Sequence, residues 1–313
     1  MSRPCAVTIG NFDGVHAGHR HIMRRVVAIA REHGWTPAVL TFDPHPAKVV
    51  APDRAPRLLT TLDQRCQLMR QEGIERILVL PFTPELAKLT PEEFVPQILA
   101  DKMQARAVLV GDNFRFGHRA SGDTRLLREL GERYGFTTEI VNGVRRHNRV
   151  VSSTEIRRLI EQGSVGLACR LLERPYALEG EVVSGHGVGS KQTVPTLNLN
   201  TQAEVLPAAG VYVTCTHADQ RHWQSITNVG FRPTFDGDHL TIETYLLSAL
   251  AGESPGRIRV EFLHRVREER KFPSPEALKT QILKDVARAR TYFRRTGILR
   301  WSQAPARHSV NRP

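Results

Sequence analysis

Apolar residues in the first half of this chain come in short runs, each followed by a stretch with helical spacing. The runs are Ala6-Val7-Thr8-Ile9, Ala38-Val39-Leu40-Thr41-Phe42, Ile77-Leu78-Val79-Leu80, Ala107-Val108-Leu109-Val110 and Thr138-Glu139-Ile140-Val141. They are short and nearly all apolar, as strands buried on both faces should be. Helical windows lie between them: one carrying Ile22, Met23, Val26, Val27 and Ile29, then 62–72, 91–103 and 123–134. Thr90 is placed to cap the third window, with Pro91 at its first position and Glu93 at its third. Strand–helix alternation of this kind predicts a parallel, doubly wound α/β sheet.

The pattern changes after about residue 172. Two short helical pieces, 153–162 and 164–172, lead to Glu173-Arg174-Pro175. Beyond them, extended segments at 178–183, 210–216, 223–229, 240–247 and 257–262 are separated by Gly, Pro, Asn and Asp. That spacing predicts an antiparallel barrel or sandwich. A terminal helix from Pro275 to about Arg295 follows. Its Leu278, Ile282, Val286, Ala289 and Phe293 recur at helical spacing, and this face is expected to close one end of the barrel as core.

Bulk properties narrow the function classes. Forty-four Lys and Arg against 32 Asp and Glu give a net charge of +12. That suits a nucleic-acid binder, and equally an enzyme whose substrates are phosphorylated anions. The basic residues are dispersed except over 288–307, so nucleic acid is not the expected partner. Four scattered cysteines form neither a zinc pair nor a disulfide framework, which suits a reducing cytoplasm. No apolar stretch reaches membrane-spanning length, and Met1-Ser2-Arg3-Pro4-Cys5 runs straight into a strand with no secretory signal, so a cytoplasmic chain without a membrane partner is expected.

The chemistry concentrates where strands hand over to helices. Gly10-Asn11-Phe12-Asp13-Gly14-Val15-His16-Ala17-Gly18-His19 follows the first run and opens the first helix. Backbone N–H groups at a helix start, with the positive dipole end behind them, collect phosphate. Gly18 permits close backbone approach, and His16 and His19 can donate to phosphate oxygens. A zinc site from His16, His19 and His21 is not expected, because no cysteine or carboxylate cluster completes it. Three further segments stand at strand carboxyl ends: Thr41-Phe42-Asp43-Pro44-His45-Pro46, Gly111-Asp112-Asn113-Phe114-Arg115-Phe116-Gly117 and Ser152-Ser153-Thr154-Glu155-Ile156-Arg157. Ligand crevices of open α/β sheets form at those ends.

A His-x-Gly-His turn with a distal Ser/Thr-x-x-Arg segment resembles the nucleotidyltransferase superfamily. Together with the Phe-x-Pro-His-Pro turn and the Asn-Phe-x-Phe-Gly segment, it resembles the bacterial bifunctional riboflavin kinase/FMN adenylyltransferase family, also called FAD synthetase. The resemblance covers about residues 5–295. It implies an α/β plus β fold: a Rossmann-like FMN adenylyltransferase domain over 1–172, a riboflavin kinase barrel with a terminal helix over 173–296, and a basic tail over 297–313. In the first domain it implies that His16 and His19 contact ATP phosphates and stabilise the transition state. Gly10, Phe12, Gly18 and Asn113 fall on the nucleotide, and Ser153, Thr154 and Arg157 cover the β- and γ-phosphates. Asp13 and His45 are expected to orient neighbours or line the flavin side.

In the second half, Gly185-His186-Gly187-Val188-Gly189-Ser190-Lys191-Gln192-Thr193 fails the Walker pattern at Gln192 and precedes no helix. The kinase family instead carries a glycine-rich flap followed by Pro-Thr-x-Asn, matched by Pro195, Thr196 and Asn198. Ser190, Thr193, Val194 and Leu197 depart from the family's usual flap. Asn228-Val229-Gly230-Phe231-Arg232-Pro233-Thr234-Phe235 resembles its Asn-x-Gly-x-Arg-Pro-Thr-Phe turn, and Arg267-Glu268-Glu269-Arg270-Lys271-Phe272 its stretch before the terminal helix. The resemblance makes Glu243 the catalytic base for the riboflavin 5′-hydroxyl. Thr196 and Asn198 become ligands of Mg2+ and the ATP phosphates, Lys191 a phosphate contact from the flap, and Arg267 a flavin-side residue. Riboflavin, FMN and ATP are the implied small-molecule substrates, with Mg2+ as cofactor and FMN and FAD as products. Two other readings stand beside this one: a monofunctional adenylyltransferase with a flavin-binding regulatory barrel, and an RNA-binding synthetase-like module.

Overall fold

The computed structural model describes residues 3–146, 149–183, 196–234, 237–250 and 252–298. The described residues divide into two compact units: those up to Arg157 with Leu171–Glu173, and Arg158–Arg170 with those from Arg174 on.

The first unit is the α/β sheet that strand–helix alternation predicts. Its strands are β1 (Cys5–Ile9), β2 (Thr36–Asp43), β3 (Arg76–Pro81), β4 (Ala105–Gly111) and β5 (Thr137–Val141). They pair in parallel in the order β3-β2-β1-β4-β5. The chain builds outward from β1 in one direction, then returns to β1 and builds in the other. The carboxyl end of β1 is therefore the switch point where an open α/β sheet leaves a crevice. β1 is buried along its whole length and β4 over most of its own, whereas edge strands β3 and β5 are mostly half-buried. Full burial on both faces thus applies to the centre of the sheet and not to its edges.

Helices α1 (Ala17–His33), α2 (Pro46–Val50), α3 (Leu62–Gln71), α4 (Pro91–Phe94) and α5 (Thr124–Tyr134) connect the strands. Cores form on both faces of the sheet. One contains Val7, Leu40, Val108, Leu99 and Leu127; the other contains Val39, Leu109, Met23, Val26 and Met69. Thr90 and Glu93 form the expected capping box at α4, and Thr61 and Gln64 form a second at α3. The window predicted as one helix over 91–103 changes character after α4 and runs as a π-helix over Val95–Lys102. Pro96 lies at that change and has no N–H to give an α-helical bond. After β5 come a two-stranded hairpin, β6 (Arg145–Arg146) with β7 (Arg149–Val150), and helices α6 (Ser153–Glu161) and α7 (Val165–Leu172).

In the second unit, six strands close a barrel in the order β10-β11-β12-β9-β8-β13. They are β8 (Tyr176–Val183), β9 (Thr196–Thr201), β10 (Gly210–Ala218), β11 (Arg221–Thr234), β12 (Gly237–Leu246) and β13 (Arg257–Glu268), all paired antiparallel. Thr214, Thr216, Ser225, Thr227 and Thr244 are fully buried and joined by hydroxyl–hydroxyl bonds of 2.7–2.9 Å. Hydroxyls supply both donor and acceptor, so the ladder satisfies itself inside the barrel. By alternation, Val211, Val213, Cys215 and Ile226 face outward.

Those outward residues pack against α8 (Pro275–Thr296), and this corrects the expectation for the terminal helix. It covers an outer wall of the barrel, burying Ala289 and Phe293. Leu278 and Ile282, expected in the core, are 41% and 40% exposed, and the buried positions of that half of the helix are Gln281 and Asp285. Asp285 receives Arg267 Nε at 2.8 Å and Gln281 Nε2 at 2.8 Å, while Arg270 donates to Gln281. The helix is positioned there by polar partners at the end of β13 and just after it, which an apolar periodicity does not register. No helix among the described residues is long and apolar enough to cross a membrane.

Candidate active sites

The turn after β1 is built under strain. Phe12 and Val15 both adopt positive φ, +50° and +37°, the second unusual for a β-branched residue. Such outliers persist only where their surroundings over-determine them. Here Val15 N–H bonds to the carbonyl of Phe12 at 3.0 Å, and Arg65 of α3, fully buried, donates to the carbonyls of Asn11 at 2.7 Å and Phe42 at 3.1 Å. Burial lowers the Arg65 pKa, opposed by Asp13 and Asp43, but an arginine stays charged. A fixed positive charge therefore lies beneath the turn.

His16 caps α1: its Nδ1 accepts the N–H of His19 at 3.3 Å. The cap commits Nδ1 as acceptor, so neutral His16 carries its proton on Nε2. The rings of His16 and His19 stack with centroids 3.6 Å apart. Gly18 makes this possible, since a Cβ there would lie 3.2 Å from Cε1 of His16. A side chain between the histidines would press the His16 ring by a few tenths of an ångström, which glycine avoids.

His45 repeats the device at α2, its Nδ1 accepting the N–H of Ala47 at 3.1 Å, with Nε2 3.0 Å from Asn11 Nδ2. Burial, the largest cause, lowers its pKa. At α6, Ser152 Oγ accepts the N–H of Glu155 at 3.2 Å, and Ser153 Oγ donates to the Asp13 carbonyl at 2.9 Å. Arg157 pairs with Asp13 at 2.8 Å and donates to the Arg57 carbonyl at 2.6 Å.

One cavity of about 1160 Å³ gathers this set. Gly10, Phe12, Asp13, His16, Gly18, His19, His45, Asn113, Ser153, Thr154 and Arg157 all line it. The sequence reading missed its apolar wall, Phe42, Phe82, Leu86, Phe94, Phe114 and Phe116. Phe114 and Phe116 stack at 5.6 Å, and Phe42 meets Phe82 edge-on at 5.5 Å. Phe42, Phe114 and Phe116 belong to segments already singled out; the signal was their aromatic character. Arg65 left no sequence signal, being one arginine in an ordinary helical window.

In the barrel, strand register brings three polar residues into one row. Asn228 of β11 stands opposite Glu243 of β12, which stands opposite Asn198 of β9. Directly opposed residues have Cβ atoms about 4.5–5.5 Å apart. Thr196, two residues before Asn198, shares its face. Glu269 lies over Gly230, where a Cβ would come within 2.3 Å of its Oε1 and 3.2 Å of Asn228 Nδ2. Lys191 and its glycine-rich flap lie outside the described residues. Arg267 is not in the row: Asp285 holds its guanidinium, and Phe272 lies 5.5 Å away.

Burial raises the pKa of all four cysteines, that of Cys215 to about 12. Among the described residues, no three His, Cys, Asp or Glu side chains are grouped to hold a metal ion.

Comparison with known proteins covers both units. An FAD synthetase family model matches residues 1–155, and a riboflavin kinase model matches 172–293. A bifunctional riboflavin kinase/FMN adenylyltransferase from Pseudomonas fluorescens is 38% identical over 289 residues, 92% of this chain and 93% of that protein. The protein of the same description from Escherichia coli K12 is 34% identical over 295 residues, with the same coverage of each chain. A solved structure from Streptococcus pneumoniae, described as a macrolide-efflux protein, superposes with a TM-score of 0.84 at 27% identity. It covers 93% of this chain and 95% of its own.

Proposed function

This chain belongs to the bifunctional riboflavin kinase/FMN adenylyltransferase family, and from that membership we propose that it phosphorylates riboflavin to FMN and adenylylates FMN to FAD. Each step consumes one ATP. The observation that carries the second step is the cavity of the first unit. Its lining combines two helix N-termini, two stacked histidines and an arginine with a set of phenylalanines. At about 1160 Å³ it exceeds the roughly 300–1,000 Å³ of a pocket for one small ligand. A triphosphate and a planar flavin fit that combination.

In adenylyl transfer a phosphate oxygen of FMN forms a bond to the α-phosphorus of ATP, and the bond to the bridging oxygen breaks to release pyrophosphate. The protein supplies no nucleophile. It aligns two anions and neutralises charge on the crowded phosphorus. His16 offers Nε2–H, His19 stands in line behind it, and the backbone N–H groups at the start of α1 add dipole. Ser153, Thr154 and Arg157 at the start of α6 meet the β- and γ-phosphates, which leave as pyrophosphate. Asn113, on the loop after β4, orients the reacting groups.

In the barrel, Glu243 accepts the proton of the riboflavin 5′-hydroxyl as that oxygen attacks the γ-phosphorus and ADP leaves. The Thr196 hydroxyl and Asn198 amide oxygen are hard donors of the kind magnesium takes, and Mg2+ is characteristically held by one or two protein groups together with substrate phosphates. Bound there, it would neutralise phosphate charge. The domain boundaries we propose are 1–172 for adenylyl transfer and 173–296 for the kinase.

The test is incubation of the full chain with riboflavin, ATP and Mg2+, with flavins resolved by chromatography. FMN is expected first, then FAD with one pyrophosphate per FAD. A chain that makes FAD only when given FMN would reduce the barrel to a binding module. Failure to make either product would overturn the proposal.

A further inference from the structure

We propose that Asp13 is a positioning residue for adenylyl transfer, presenting Arg157 to the triphosphate without touching substrate itself. The inference rests on the reading of the cavity given above. The Asp13 side chain is 3% exposed, and its carboxylate is saturated. It accepts the Leu59 N–H at 2.9 and 3.1 Å, the Thr60 N–H at 3.1 Å, the Thr60 hydroxyl at 3.2 Å and Arg157 Nη2 at 2.8 Å. A carboxylate offers about four lone-pair sites. Those donors occupy them, so Asp13 has no site left for a flavin hydroxyl, a metal ion or a transferred proton. This removes it from the flavin side, where the sequence reading had room for it.

What the carboxylate does instead follows from its partners. They come from two other stretches of chain, the segment 57–60 and the start of α6. Ser153 adds a bond from α6 to the Asp13 carbonyl at 2.9 Å, and the Gly14 N–H bonds to Thr60 Oγ1 at 3.0 Å. Arg157 gives its Nε–H to the Arg57 carbonyl and an Nη2–H to Asp13. Two of the five N–H bonds of its planar fork therefore fix the plane, and the residue lines the cavity. Rotamer freedom that a long side chain would lose on binding phosphate is already lost before ATP arrives. The strained turn carrying the histidines and the arginine from α6 are thus locked to one carboxylate, so the two sides of the phosphate site move together.

The experiment uses the full chain, with FMN formation from riboflavin as the internal measure of intact protein. In D13N the KM for ATP in FAD formation rises at least tenfold, the KM for FMN stays within twofold, and FMN formation is unchanged. R157Q raises the KM for ATP as well. In D13N/R157Q neither charge is left buried and unpaired, so this chain keeps its melting profile even where D13N does not. Its KM for ATP then matches that of R157Q within twofold, because Asp13 acts through Arg157. Losses that multiply in the double variant, or a D13N effect on FMN instead of ATP, would overturn the inference. A wild-type chain that forms no FAD would overturn the reading beneath it instead.

Discussion

His16 and His45 each cap a helix through Nδ1. Each Nδ1 accepts a backbone N–H, at 3.3 and 3.1 Å, so protonating that nitrogen would break the cap. For His45 the sign of the pH dependence follows. Its folded-state pKa lies below the ordinary 6.5, chiefly through burial, so folding favours the neutral ring. The stabilisation is complete above about pH 6.5 and is lost as pH falls through the depressed value. In H45N, asparagine caps without titrating. Thermal melts are expected to show wild type losing stability below pH 6.5 more steeply than H45N; parallel curves would remove this role. Arg65 is the converse case. Replacing it by methionine leaves the Asn11 carbonyl of the strained turn and the Phe42 carbonyl of β2 without their donor. This should cost about 2–4 kcal/mol in denaturant unfolding of the first unit and raise the KM for ATP. The histidine pair was legible in the sequence because its residue types and spacing carry chemistry by themselves. Arg65 was not, because its role exists only once α3 lies under the turn.

At the scale of elements, strands were the most legible feature, since buried runs repeat whatever surrounds them. The closed barrel was legible as a series of strands but not as a closure. β9 entered the reading only as extended chain, and its pairing with β8 and β12 completes the ring. Helix α8 was legible in extent and misread in orientation, because Asp285 and Gln281 are buried by guanidinium partners rather than by apolar contact. D285A strips the half-buried Arg267 of its counter-charge and leaves the buried Gln281 amide without its acceptor. It should destabilise the second unit by about 3–5 kcal/mol, whereas L283K, at a position 62% exposed, should change stability by no more than about 0.5 kcal/mol. Equal effects in urea melts would contradict this assignment of the buried face. The row Asn228–Glu243–Asn198 was legible only as three separate motif residues; register, which no single motif carries, put them side by side.

For the molecule as a whole, two units with separate cores each hold a candidate site built in a different way. The first gathers helix N-termini and a stacked histidine pair at a sheet switch point. The second uses an outward face of a barrel, where a carboxylate and hard oxygen donors stand in one row. Both steps use ATP, and the product of the barrel is the substrate of the sheet. Two chemically independent sites on one chain should be separable by paired variants. E243A and H19A are each assayed with riboflavin and with FMN, in the presence of ATP and Mg2+. E243A should make FAD from FMN but nothing from riboflavin. H19A should stop at FMN, and an equal mixture of the two should again make FAD from riboflavin. If either folded variant loses both activities, or the mixture fails to restore the pathway, the division of labour between the two sites is wrong.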